Sequence, residues 1–586
     1  MRSTARPSLA RCAFALASCL LLDACAPNSA MRRFWLGTDV TLYPARQVIT
    51  MNEDQPTAQA VAIEDDRIVG VGSVESIVAT LGDRSFEVDR RFEDKILVPG
   101  FIEPHLHPYI AGILLPMKFI TPHAWSLPGR DIPAVRGRGA YLARLAAHEA
   151  SLEDPQEWLW TWGFHHLFHG ELSRADLDAI SNQRPILVWH RSFHEIFANT
   201  AALAALGIDR ARADAHTQVD FDRGHFYETG LELLLEGATD ELLQLRRYLG
   251  ALREARALLH AGGITTVADG AFGTLDLTRE YRALRYGGWD DSDTPYRSLL
   301  LLDGRALGDR LGHEATRDRI LELEGDGTHH LRFLARSVKL FADGAAYSQL
   351  MQMKDGYLDG HEGEWIMQPE TLLAAARVYW NAGFQIHVHA NGDLGVETVL
   401  DVLETLQREN PREDHRFTLH HVCSAAPAQA QRAARLGAIV SANPFYVWAL
   451  ADKYAEVGLG PERAARMVPS RSFVDAGVPL AFHSDFTMAP AQPLRLAWAA
   501  ATRLSADGVL QAPEERISVR EALEAITLDA AYQVRMEHEI GSLEVGKLAD
   551  LTVLEQDPFE VPVEALKDIP IWGTVFEGTV YPVKGP

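Results

Sequence analysis

His105 and His107 stand two residues apart at the end of the apolar stretch ILVPGFIEPHLHP (residues 96–108), which reads as a short buried strand kinked at Pro99-Gly100. Side chains at i and i+2 of a strand face the same way, so both imidazoles can reach one metal ion. Glu103 shares that face. Four later runs also end in a group able to bind a metal or work beside one: Lys339 in SVKLFADG, His389 in FQIHVHA, His421 in RFTLHHV and Asp485 in LAFHSD. His387 lies on the His389 face and is an alternative ligand, whereas His420 is expected to point away from His421. Cys423 is either a soft donor or a buried structural thiol. Taken singly, each of these reads as a turn, cap or solvated residue; their recurrence at strand ends is what suggests a site.

The elements that carry these residues alternate apolar strands with helical patterns, the signature of a parallel α/β sheet or barrel. Candidate strands are FIEPHLH, GITTVADG, YRSLLLLD, SVKLFADG, FQIHVHA, RFTLHHV, AIVSANP and LAFHSD, and helical segments such as PETLLAAARVYWNAGF separate many of them. Eight strand-helix units predict a (β/α)8 TIM barrel, in which groups at the C-terminal strand ends converge on one mouth. The count requires RPILVWHRSFH to lie outside the barrel, in a cap inserted after barrel strand 1 at about residues 109–250. Within it, EWLWTWGFHHLFHG either shapes a pocket or forms an apolar seam. Short alternating β segments at both ends predict a small composite β-sandwich domain from residues 36–95 and 541–586 around a barrel at 96–540.

A net charge of −24 over 586 residues argues against nucleic acid as a partner, because phosphate binding needs a basic surface. Oligomeric state is open, a homo-oligomer included. Residues 1–30 read as a signal peptide: Arg2, Arg6 and Arg11 precede an apolar run at 12–22. LLDAC ending at Cys25 resembles a bacterial lipobox, with Asp23 as a departure, so export as a lipidated protein is expected. Ordinary cleavage after Ala26 or Ala30, to a periplasmic protein, and a cytoplasmic product starting at Met31 are the alternatives. Only Cys423 lies in the body of the chain, so no intrachain disulfide framework is expected. No transmembrane span is expected either. GSLEVGKL has phosphate-loop spacing, but Leu548 occupies the position of the magnesium-binding hydroxyl.

The segments PGFIEPHLH, VKLFADG, HVHANGD, LHHV and HSD, with the closing GSLEVGKLADLTVLEQDP, resemble the amidohydrolase superfamily. The resemblance is to its family 3, the YtcJ-like group that includes N-substituted formamide deformylases. It spans about residues 39–586, with WHRSFHEIFANTAAL as further support. It implies hydrolysis of a carbon-nitrogen bond (amide, N-acyl or N-formyl) in a small-molecule substrate, with zinc as cofactor. By position, His105, His107 and Asp485 hold the more buried ion and His389 and His421 the other. Lys339 bridges them as a carboxylated lysine, since a carbamate offers anionic oxygens where a protonated amine would be repelled. Asp485 is the implied catalytic proton shuttle for a hydroxide generated at the metals. His194 and Asn199 match the family's H-x-x-x-x-N pattern and are implied substrate contacts. Three departures stand out: Glu103 replaces a usual Asp, His420-His421 replaces Glu-His, and YSQLMQMKDGYLDGHEGEW replaces the usual loop. A deaminase or cyclic-amide hydrolase on the same scaffold, and a non-catalytic surface-anchored binding protein, are the competing readings.

Overall fold

The computed structural model describes residues 40–154 and 156–583, so the leader and Cys25 lie outside the described residues. Eight parallel strands form the barrel: β1 (Phe101–Leu106), β2 (Ile264–Phe272), β3 (Arg297–Asp303), β4 (Leu331–Phe341), β5 (Gln385–Ala390), β6 (Thr418–His421), β7 (Ile439–Ala442) and β8 (Leu480–Phe482). These are the eight runs expected from the sequence. The sheet order β8-β7-β6-β5-β4-β3-β2-β1 leaves β8 beside β1. There Asp485 N–H donates to the His105 carbonyl (3.2 Å) and His107 N–H to the Phe486 carbonyl (3.4 Å). Register places Lys339 between Asp303 and His387, and His389 beside His420.

The helices between strands pack by their apolar stripes. The helix Asp393–Glu409 buries Val396, Val399, Leu400, Leu403 and Leu406, a 3.6-residue period that turns one face onto the barrel. No helix among the described residues is long and apolar enough to cross a membrane.

Residues 96–108, read as one kinked strand, are two strands in two sheets. Ile96–Pro99 pairs with Val40–Ile49 and with Leu551–Leu554 in a composite sheet that contains strands from both ends of the chain. After Gly100 the chain enters β1. A Cβ at Gly100 would sit 2.1 Å from Thr265 Oγ1, so only glycine lets the chain pass from one sheet to the other this close to β2. The composite sheet curls back on itself, since Ile68 N–H donates to the Lys547 carbonyl (2.9 Å) and Gly546 N–H to the Ile68 carbonyl (2.8 Å). Val48, Val61, Leu97, Val553 and Val575 fill its interior. Arg297, at the start of β3, ties it to the barrel through Asp550 and Glu577.

The residues between β1 and β2 build a separate six-stranded sheet, and Ile186–His190 lies in it, outside the barrel as the strand count required. Trp160 and Trp162 of the strand Leu159–Phe164 are buried in the apolar cluster that this sheet shares with the barrel, the apolar-seam reading of that stretch.

Candidate active site

The strand ends of the barrel open on a cavity of about 210 Å³ whose walls include His105, His107, Lys339, His389, His421 and Asp485. These six are the residues singled out in the sequence as metal ligands, brought together from five strands. His105 belongs to β1, whereas His107 lies just past it and caps the helix Pro108–Leu114. Their ring centroids are 4.9 Å apart. Asp485, beyond β8, approaches both: its Oδ1 is 3.6 Å from His105 Nε2 and 3.3 Å from His107 Nε2. The His105 ring packs directly on Gly270, where a Cβ would lie 2.1 Å from Nδ1.

His420 does not point away from His421. Both rings are inside the barrel, with centroids 4.5 Å and 4.9 Å from that of His105. The cause is backbone: His421 and Val422 take φ of 75° and 42°, which ends the strand alternation at that point. His420 Nε2 meets His387 Nδ1 at 2.9 Å, while His387 Nε2 and His420 Nδ1 are buried without a partner. His483, which the sequence reading did not nominate, lies 3.1 Å from His421 Nδ1 through Nε2 and 2.9 Å from Ser441 Oγ through Nδ1. The tightest cluster of donors is therefore His105, His421, His483 and Asp485, one atom from each within 4.8 Å of the others. His107, Lys339 and His389 surround it. The signal for His483 was present, since it stands at i−2 from Asp485.

Asp269 was also missed, although it comes in the second half of the second strand, as Asp485 comes after the eighth. Its Oδ1 is 3.7 Å from His107 Nδ1. Glu103 accepts Ser484 N–H through Oε1 (2.7 Å), which braces the turn that carries Asp485. Burial pushes the Glu103 carboxyl up to about 8 against that hydrogen bond.

His194 faces the cavity, its ring centroid 5.6 Å from that of His389. Its Nδ1 is 2.6 Å from Glu228 Oε2, a buried carboxylate with no counterpart among the sequence motifs. Asn199 corrects the implied pairing. Its Oδ1 accepts from Ile186 N (3.0 Å) and Ala202 N (2.8 Å), and its Nδ2 donates to the carbonyls of Ser181 (2.8 Å) and Arg184 (2.9 Å). All the hydrogen-bonding capacity of that amide is used inside the cap, where it caps the helix Thr200–Ala205. Cys423 is buried and free.

The electrostatics suit a cation. Burial holds His105, His389 and His421 well below the usual histidine range, in the neutral form that ligates. It also lowers Lys339 to about 7. Burial works to raise Asp485, but the close approach of His107, 3.3 Å away, keeps its carboxyl below the ordinary value. The same burial would lower His107, yet Asp269 and Asp485 raise it to about 9, so an ion bound there displaces a proton. Lys339 Nζ, both His105 ring nitrogens and Asp485 Oδ1 are buried without a hydrogen-bond partner. Each orphan costs about 1–3 kcal/mol if nothing else satisfies it, so this donor set fits a divalent metal.

The amidohydrolase family profile matches residues 93–581. N-substituted formamide deformylase of Arthrobacter pascens is 28% identical over 557 residues, covering 91% of this chain and 96% of the relative. YtcJ of Bacillus subtilis (strain 168) is likewise 28% identical, over 91% of this chain and 97% of its own. Among solved structures, an uncharacterized metal-dependent hydrolase from Pyrococcus horikoshii OT3 shares the fold with a TM-score of 0.66 at 20% identity, over 89% of this chain and 99% of that one. The family match covers the barrel and every residue of the cavity wall described above, and the chain belongs to the amidohydrolase family.

Proposed function

We propose that this protein hydrolyses the carbon-nitrogen bond of a small amide, N-acyl or N-formyl compound, using zinc held at the barrel mouth. The observation that carries this reading is the convergence of unpartnered imidazole, carboxylate and lysine groups in one cavity. In the two-ion form, His105, His107 and Asp485 would hold one ion and His389 and His421 the other, with Lys339 as a carbamate supplying anionic oxygens to the pair. Lys339 suits that modification: a pKa near 7 leaves a large neutral fraction, and the neutral amine adds carbon dioxide with loss of a proton. Bound zinc supplies a Lewis acid that polarises the carbonyl and brings a water's pKa to roughly 7.

The chain's own residues do the rest. Asp485, held ionised beside His107, accepts the proton of the attacking water and passes it to the nitrogen as the C–N bond breaks. His194, whose pKa Glu228 raises against burial, donates to the substrate carbonyl oxygen, where negative charge develops. Ile110, Ile113, Leu231, Leu235 and Phe341 exclude bulk water and receive the apolar substituent of the substrate. Purified, zinc-loaded protein assayed on N-formyl, N-acyl and cyclic amides should release amine or carboxylate from at least one class. Ligand binding without turnover across the panel would replace this reading with that of a surface-anchored binding protein.

A second reading has its own support. The closest donor set, His105, His421, His483 and Asp485, is the right size for a single ion, as a deaminase or cyclic-amide hydrolase on this scaffold would use. One zinc per chain and ammonia release from an aminated ring would favour it. For location, export through residues 1–30 with lipidation at Cys25 is the proposal. A reporter fused to that leader should reach the periplasmic side, and Cys25→Ala should release it from the membrane.

A further inference from the structure

Arg191, in the cap, is a guanidinium with 0% of its residue surface exposed. Its Nη2 donates to the Met488 carbonyl (3.0 Å), while Nε and Nη1 are buried without a partner. No carboxylate among the described residues hydrogen-bonds to it. Instead it lies among the rings of Trp125, Trp162 and Tyr347, whose centroids are 5.4, 5.6 and 5.1 Å from Cζ. Such cation–π contacts offset part of the cost of burying a charge. An unbranched apolar side chain would fill the same aromatic box with no charge to desolvate, and exchanges of this kind are often neutral or stabilising. A charge kept where stability does not require it points to function.

The hydrogen bond from Nη2 falls on the turn that carries Asp485. In that turn Met488 N–H donates to the Asp485 carbonyl (2.6 Å) and Ala489 N–H to the Ser484 carbonyl (3.0 Å). The peptide plane between Met488 and Ala489 is thus gripped at both ends: its N–H by Ser484, its oxygen by Arg191 and by Tyr347 Oη (3.3 Å). Asp485 has a φ of 53°, a conformation that a residue with a Cβ keeps only where its surroundings hold it. The hydrogen bonds to His105 and His107 hold the turn on its β1 side, and Arg191 holds it from the cap. At the cap end, Arg191 N–H donates to the Phe164 carbonyl (2.8 Å). The next residue, Ser192, accepts His194 N–H through Oγ (3.0 Å) and lines the cavity.

We infer that Arg191 is a positioning residue that locks the cap turn presenting His194 to the barrel turn presenting Asp485. It touches neither the reacting atoms nor a metal. Its part is to fix the oxyanion donor, carried by the cap, against the proton carrier, carried by the barrel. A misplacement of about 1 Å between such groups can cost about 10²-fold in rate. The inference rests on the hydrolytic reading above.

Arg191→Met tests it, because it fills the aromatic box while removing the charge and the grip on Met488. Full-length, zinc-loaded wild type and variant are compared in thermal midpoint, metal content, steady-state kinetics on a hydrolysed amide, and hydrogen exchange of the peptide spanning residues 484–489. The variant should melt no lower than the wild type and carry the same metal. Its kcat should fall by about tenfold or more with a smaller change in KM, and the Met488 and Ala489 amides should exchange at least about tenfold faster. A variant that melts lower yet keeps wild-type kcat and exchange has lost only packing, and overturns the inference. If the wild type hydrolyses no amide, the hydrolytic reading fails on its own, and unchanged exchange at 484–489 still overturns the lock. If Arg191→Met does not fold, Tyr347→Phe, which withdraws the other donor from the same carbonyl, is read the same way. Wild-type kcat and exchange in that variant overturn the inference.

Discussion

Replacing Glu228 with Gln isolates the part played by the cap in the reaction. His194 Nδ1 and Glu228 Oε2 are 2.6 Å apart, and the Glu228 side chain is 1% exposed. Burial pulls the His194 pKa down, and the charge and hydrogen bond of Glu228 reverse that, so the net shift is upward. A hydrogen bond to a charged group contributes about 1.5–3 kcal/mol. Its loss should weaken proton binding at His194 by about that amount, so the His194 pKa falls. Asp485 and Glu195 still act to raise it, but burial meets less opposition than before. If His194⁺ donates to the carbonyl oxygen, the alkaline limb of kcat/KM moves to lower pH, with metal content unchanged. Stability follows the same sign. A raised histidine pKa contributes stability that is complete below the unfolded value near 6.5 and is lost as pH rises through the folded value; Glu228→Gln removes that contribution. Histidine C2 deuterium exchange read by mass spectrometry reports the His194 pKa directly. A pH-rate profile that does not move, while the measured His194 pKa falls, refutes the role given to His194.

Three further outcomes are expected. Asp485→Asn should lower kcat by at least about 10²-fold, the scale of general acid-base catalysis, with a smaller change in KM; steady-state kinetics on the substrate identified in the amide panel decide it, and unchanged kcat removes Asp485 as proton carrier. Arg297→Met strands the Asp550 carboxylate, only 3% exposed, between barrel and composite sheet, and should cost about 3–5 kcal/mol in urea denaturation; a loss under about 1 kcal/mol contradicts the ion pair's place there. Gly100→Ala should destabilise by about 1–3 kcal/mol through its clash with Thr265, and adding Thr265→Gly should restore most of that loss; a double variant no better than Gly100→Ala places the cost elsewhere.

Much of the barrel was legible because each of its strands is a short apolar run, and because Lys339, His389, His421 and Asp485 come at or just beyond the ends of theirs. That repetition survives without any three-dimensional information. The side-chain direction of His420 was not legible, since strand alternation predicts the opposite face and only the positive φ at His421 brings both rings inside. The junction at Gly100 was hidden for a related reason: the apolar pattern runs unbroken across it, while the change of sheet depends on Thr265, far along the chain. Asn199 shared a spacing with His194, but spacing does not reveal that Ile186, Ala202, Ser181 and Arg184 already occupy its amide. Glu228 belongs to an inserted segment with no motif of its own, and its meeting with His194 is purely tertiary.

The central claim is that the donors at the barrel mouth hold the metal on which amide hydrolysis depends. Metal content per chain and amide hydrolysis, measured together on wild-type protein and on His105→Ala, test it most directly. The account predicts bound zinc and turnover in the wild type, and loss of both barrel metal and turnover in the variant. Full activity of a His105→Ala protein that carries no barrel metal would contradict it.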